Sequence, residues 1–125
     1  MYFTFTGNDA SCAAASKVLE ILESEQLVER SRTMGEVLGS RLSGALDGQR
    51  YVRDIRGRGL FYGVEIGANR DAVVMAAIEA QAVGVPGRLR SGAERAIMVA
   101  PPFVVSEAEI DQLVDVLRAS LGAVG

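Results

Sequence analysis

Histidine is absent from this 125-residue chain. That excludes Ser-His and Cys-His nucleophile pairs and histidine-ligated metals within it. Cysteine occurs once, at Cys12, so no disulfide can close inside the chain; a small buried helix residue is expected there. Lysine also occurs once, as Lys17. Long apolar runs are missing: the longest uncharged one, residues 96–105, holds two prolines and is too short to span a bilayer. No membrane span is therefore expected. No charged stretch leads into an apolar one at the start, so no signal peptide is read and a cytoplasmic location is expected. A basic excess is lacking as well. With 13 Lys and Arg against 16 Asp and Glu, the net charge is −3. Such a chain has no surplus to neutralise phosphates, and no nucleic-acid partner is expected.

What is present is ordinary for a globular chain, with 49% hydrophobic and 23% charged residues. Its length suits one core, so residues 1–125 are read as a single domain. A first helix is expected over 9–23, with Ala14, Val18, Ile21 and Leu22 as its buried face. A second covers 26–46, where Leu27, Met34, Leu38, Leu42 and Leu46 recur at helical spacing. Gly35, Gly39 and Gly44 interrupt its propensity and are read as close-packing positions. Strands are expected over 52–56 and 60–66, with Gly57, Arg58 and Gly59 as the bend. A third helix follows over 71–83, then short strands over 84–89 and 96–100. The last helix, 106–121, has the clearest start. Ser106 and Glu109 form a capping box, ahead of a stripe of Ile110, Leu113, Val114, Leu117 and Leu121. The sum is an α+β fold: a small, mainly antiparallel sheet covered by helices.

Two glycine motifs carry possible chemistry. The stretch Phe3-Thr4-Phe5-Thr6-Gly7-Asn8 ends in two hydroxyls and a glycine, then opens into an alanine-rich helix. Hydroxyl and N–H donors gathered at a helix N-terminus suit an anion. The same Thr-Gly-Asn turn also serves as a purely structural N-cap. Gly57, Gly59 and Gly63 imitate a dinucleotide fingerprint, but strand-forming Leu60 to Ile66 follows where that motif needs a helix. These glycines are read as a tight bend.

Three blocks in order give a resemblance. Thr4-Phe5-Thr6-Gly7-Asn8-Asp9 resembles the Thr-aromatic-x-Gly-His/Asn-Pro turn of class III aminotransferases, with Asp9 where the family usually has Pro. Arg56-Gly57-Arg58-Gly59-Leu60 resembles its Arg-Gly-x-Gly-Leu segment, and Pro101-Pro102-Phe103-Val104-Val105-Ser106 its Pro-Pro block before the last helix. The resemblance covers nearly the whole chain. It implies the C-terminal domain of a fold-type-I transferase using pyridoxal 5'-phosphate. The reaction would move an amino group from an amine or amino acid to a 2-oxo acid or aldehyde, in a homodimer. A glutamate-1-semialdehyde-type aminomutase shares the turn. The rival outside catalysis is a truncated remnant acting as an interaction or dimerisation module.

By the same resemblance, Thr4 contacts the cofactor phosphate across the dimer interface, and Phe3 shapes that corner. The family's Schiff-base lysine lies upstream of the turn. The expectation is a C-terminal fragment that does not hold the cofactor covalently and is inactive alone. Lys17, among Ala15, Ser16, Val18 and Leu19 of a helix, is read as a surface residue. No catalytic residue is assigned in this chain and no metal is expected. Relatives acting on α-amino acids often carry a carboxylate-clamping arginine two residues before the Ala/Pro-Pro block, where Met98 stands here. Arg88, Arg90 and Arg95 lie just upstream as possible substitutes. Arg56 is read as structural, and the substrate is left open.

Overall fold

The structure is a computed structural model that describes residues 7–67 and 96–122 and the backbone of 88–91 and 123. Helix α1 spans Asp9–Ser24 and α2 Leu27–Leu46. Strands β1 (Val52–Arg58) and β2 (Phe61–Ile66) follow, then β3 (Arg88–Ser91), β4 (Ala96–Ala100) and helix α3 (Glu107–Ala123). The helix expected over 71–83 lies outside the described residues. The described strands form one antiparallel sheet in the order β1-β2-β4-β3.

Alternation in β2 and β4 sets the sheet's two faces. Val64, Ile66, Ile97 and Val99 are buried, while Gly63, Glu65, Met98 and Ala100 are only half-buried. The buried side meets Leu38, Leu42 and Leu46 of α2 and Ile110, Leu113, Leu117 and Leu121 of α3 in one core. Each such side chain contributes about 1.5–3 kcal/mol by leaving water.

The start of α3 follows its sequence signal. The Ser106 N–H donates to Glu109 Oε2 at 2.7 Å, and the Glu109 N–H donates to Ser106 Oγ at 3.3 Å. The Ser106 N–H and then the Ser106 hydroxyl, both donating to Glu109 Oε2, hold this carboxyl below its usual pKa. The hairpin turn sits later than expected. Gly57 and Arg58 belong to β1, and Gly59 and Leu60 make the reversal, with Gly59 at φ +56°. A side chain there is disfavoured, which is why glycine occupies it.

Helix α2 lies on this hairpin through glycine. A Cβ on Gly35 would fall 2.3 Å from the Gly59 carbonyl oxygen, and one on Gly39 would fall 2.3 Å from the Tyr62 hydroxyl. Tyr62 fits beside them and donates its hydroxyl to the Gly35 carbonyl at 3.2 Å. Gly44 has nothing within 4 Å of a built Cβ, so its expected packing role is not found.

The largest departure is α1. Its expected face of Ala14, Val18, Ile21 and Leu22 is not buried: the helix has no buried residue, and Cys12 is exposed as well. The pattern is amphipathic, but among the described residues only α2 lies against this helix to any extent. Gln26 turns the chain sharply between the two helices at φ 51°.

The glycines of α2 give opposed expectations for one substitution. Gly35→Ala forces a methyl into backbone and should cost about 1–3 kcal/mol. Gly44→Ala meets open space and should stabilise by roughly 0.5–1 kcal/mol through helix propensity. Urea unfolding midpoints check both signs.

Candidate functional site

The turn that opens α1 is described from Gly7 onward, so Phe3 and Thr4 lie outside the described residues. Gly7 takes φ +75°, and the Asn8 side chain accepts the Ser11 N–H at 3.0 Å. Asn8 thus caps α1, satisfying one of the N–H groups that a helix start leaves free. The helix N-terminus follows this turn directly, as the sequence suggested.

Lys17 lies a little over two turns into α1. Its Nζ is 2.7 Å from Glu20 Oε1, and both side chains are well over half exposed. Such a surface pair is a solvated contact. It leaves the lysine on no enclosed surface.

The Arg-Gly-x-Gly block is structural in its contacts. Asp54 and Glu65 are Cα partners across β1 and β2, which sets two carboxylates side by side. Arg56 Nη1 donates to Glu65 at 2.9 Å and to Asp54 at 2.5 Å. Its hydrogen bonds to Glu65 and then Asp54 raise the guanidinium pKa further above its ordinary value. Arg56 is therefore committed to tying β1 to β2.

Register locates the residues near the expected substrate position. Met98 is half-buried on β4, opposite Gly63 of β2 and Arg90 of β3. Arg88 stands opposite Ala100, and Arg95 is outside the described residues. Directly opposed residues of an antiparallel pair share a sheet face. Met98, half-buried between buried Ile97 and Val99, stands on the side turned away from the core.

Sequence reading passed over Arg30. From α2 it donates Nε to the Phe103 carbonyl and Nη2 to the Val105 carbonyl, each at 2.9 Å, and lies 3.4 Å from that of Val104. It fixes the turn after Pro101-Pro102, ahead of α3. The partners are 73 to 75 residues away in sequence, so no local pattern announces them.

The described residues alone do not fit pyridoxal phosphate. The hollow of about 340 Å³ between the end of α2 and β1 is lined by Asp47 and Asp54 with Arg53, so acidic side chains outnumber basic ones around it. The only lysine is held at the surface by Glu20. No group of three His, Cys, Asp or Glu side chains that could hold a metal ion occurs among the described residues.

Comparison with known proteins places the chain. The sequence model of the Aminotransferase class-III family matches residues 3–121. The chain is 44% identical over 114 residues to the acetylornithine aminotransferase of Methanothermobacter thermautotrophicus, covering 91% of itself and 28% of that protein. It is 33% identical over 130 residues to the taurine–pyruvate aminotransferase of Rhodobacter capsulatus, covering 94% and 28%. Among solved structures, a Bacillus anthracis aminotransferase superposes with a TM-score of 0.83 at 34% identity, over 96% of this chain and 29% of that one. An ornithine aminotransferase from Plasmodium yoelii shares the fold, with a TM-score of 0.86 at 21% identity over 100% of this chain and 32% of that one. The chain thus spans less than a third of the length of these relatives. With three motif blocks in order, a matching fold and a family match across nearly its whole length, the chain belongs to the class III aminotransferases.

Proposed function

We propose that this chain works as the C-terminal domain of a pyridoxal phosphate-dependent aminotransferase. The reaction moves an amino group from an amine or amino acid to a 2-oxo acid or aldehyde, in a cytoplasmic homodimer. The observation that carries this reading is the family match over residues 3–121. The cofactor's ring acts as the electron sink in such chemistry, while protein groups hold and orient it. In this reading the chain's share is orientation. Thr4 donates its hydroxyl to the cofactor phosphate from the turn before α1, and Phe3 shapes the adjoining wall. A neutral hydroxyl is a short, fixed donor for a dianion.

The reacting lysine belongs to a portion that this chain does not supply. The Lys17–Glu20 contact supports that division, since it occupies the lysine at a solvated helix surface. Substrate carboxylate recognition falls to Arg90. What supports this is register alone: Arg90 is the Cα partner of Met98, the position to which the resemblance assigns the family's clamp.

The chain alone, mixed with pyridoxal phosphate and dialysed, should retain no visible cofactor band and turn over no amine. A stoichiometric band that survives dialysis, with turnover, would show that Lys17 suffices.

The role of Thr4 is tested in a chimera in which this chain replaces the matching segment of the Methanothermobacter enzyme. Loss of a hydrogen bond to a charged group costs about 1.5–3 kcal/mol, so Thr4→Val should weaken cofactor binding roughly ten- to over a hundredfold. Thr6→Val should cost less. Equal cofactor affinity for Thr4→Val and its parent would make Thr4 a turn residue only.

A further inference from the structure

Strand β4 is held unevenly along its length. Ala96 to Val99 have Cα partners in β2, Glu65 to Tyr62, but Ala100 is partnered only by Arg88 of β3. In the described sheet β3 is itself an edge and pairs with β4 alone. The last residue of β4 and the strand beside it therefore lack the support of β2. Beyond them the chain turns toward α3. Pro101 is buried, while Phe103 is 46% and Val104 65% exposed. The Val105 N–H closes this turn on the Pro102 carbonyl at 3.0 Å, and Val105 returns to the core. Burial thus holds the two ends of the turn and not its tip.

Arg30 holds the tip. The carbonyls of three successive residues, Phe103, Val104 and Val105, converge on its guanidinium, Nε taking the first and Nη2 facing the other two. A guanidinium suits this task because its donors lie in one plane and point in several fixed directions. Its charge strengthens each bond. Arg30 comes from α2, whose place is set by the approach of Gly35 to Gly59. The path from the turn back to β4 is stiff. The rings of Pro101 and Pro102 fix φ at both positions and restrict the residue before each. A shift of the tip is then passed to Ala100, and on to Met98, instead of being absorbed on the way.

We infer that Arg30 is a positioning residue for substrate binding: by tying the Phe103–Val105 turn to α2, it sets the end of β4 and the strand position of Met98, to which the resemblance assigns the carboxylate clamp. This rests on the functional reading above. Arg30 acts through the backbone and touches no substrate. Its effect is confined to the β4 side of the sheet, since the β1–β2 hairpin is held to α2 separately, by Gly35 and the Tyr62 hydroxyl.

Arg30→Met keeps the aliphatic stem and removes the donor fork. In the chain alone, this variant should speed hydrogen exchange at residues 97–100 roughly tenfold more than at Leu42 and Leu46 of α2. A part in overall stability alone would speed both groups by one factor, and that result would overturn the inference. Arg30→Lys keeps the charge without the fork and should recover only part of the protection. Arg32→Met is the control: its partners Glu29 and Glu36 lie on its own helix, so the ratio should not move. In the chimera, alanine and ethylamine serve as amino donors that differ only in the carboxylate. Arg30→Met should raise KM for alanine about tenfold with little change in kcat, as for lost ground-state binding. Both constants for ethylamine should stay nearly unchanged. An equal rise for the two donors, or none for alanine, in a chimera that turns over would overturn the inference and leave the functional reading intact. A chimera that binds no cofactor and turns over no donor would count against the functional reading, and the exchange ratio in the chain alone then decides whether Arg30 sets β4.

Discussion

The seam between α2 and the β1–β2 hairpin exists only because two glycines face each other. With the Gly59 carbonyl where a Gly35 side chain would start, helix and turn meet backbone to backbone. Tyr62 extends the seam: its ring lies close to Gly57 and its hydroxyl close to Gly39 and the Gly35 carbonyl. This contact fixes the position of α2 on the sheet. From there Leu38, Leu42 and Leu46 reach the core shared with α3, and Arg30 holds the turn that leads into α3. The hairpin in turn sets β2, and through it the register of β4, where Met98 stands. One close approach thus sets much of the frame that carries β4.

Where local chemistry decided the outcome, the sequence was readable. Ser106 and Glu109 announced the start of α3, and its apolar stripe is the stripe buried in the core. Gly35 and Gly39 read as close-packing positions and are so, but Gly44, of the same type on the same helix, faces open space. Sequence carries the absence of a side chain and says nothing of what stands opposite. Likewise, the period of α1 showed an apolar face without showing what covers it, so the expectation that Val18 is buried fails against its 56% exposure. The hairpin bend moved by two residues because Gly57 serves packing inside β1 while Gly59 supplies the positive φ.

The functional residues divide in the same way. Arg56 was legible as structural, and its bonds to Asp54 and Glu65 are those of a cross-strand tie. The position of Arg90 opposite Met98 depends on a strand pairing that no single window of sequence contains. Arg30 contributes through partners more than seventy residues away, which is beyond any spacing rule. Thr4 and Phe3 rest on the family's turn, as does the share of the chemistry assigned to this chain. Fold and family are therefore written in pattern and order, whereas site geometry is written in contacts between distant segments.

A core of α2, α3 and sheet closes on itself, beside a helix α1 with no buried residue. Native-state hydrogen exchange on the chain alone tests it residue by residue. Amides in the Leu38 to Leu46 part of α2, in β2 and β4, and in α3 should exchange only through global unfolding. Amides of α1 should exchange orders of magnitude faster, since no buried packing holds that helix. Protection in α1 equal to that in α3 would contradict it, by showing that α1 is already packed in the chain on its own.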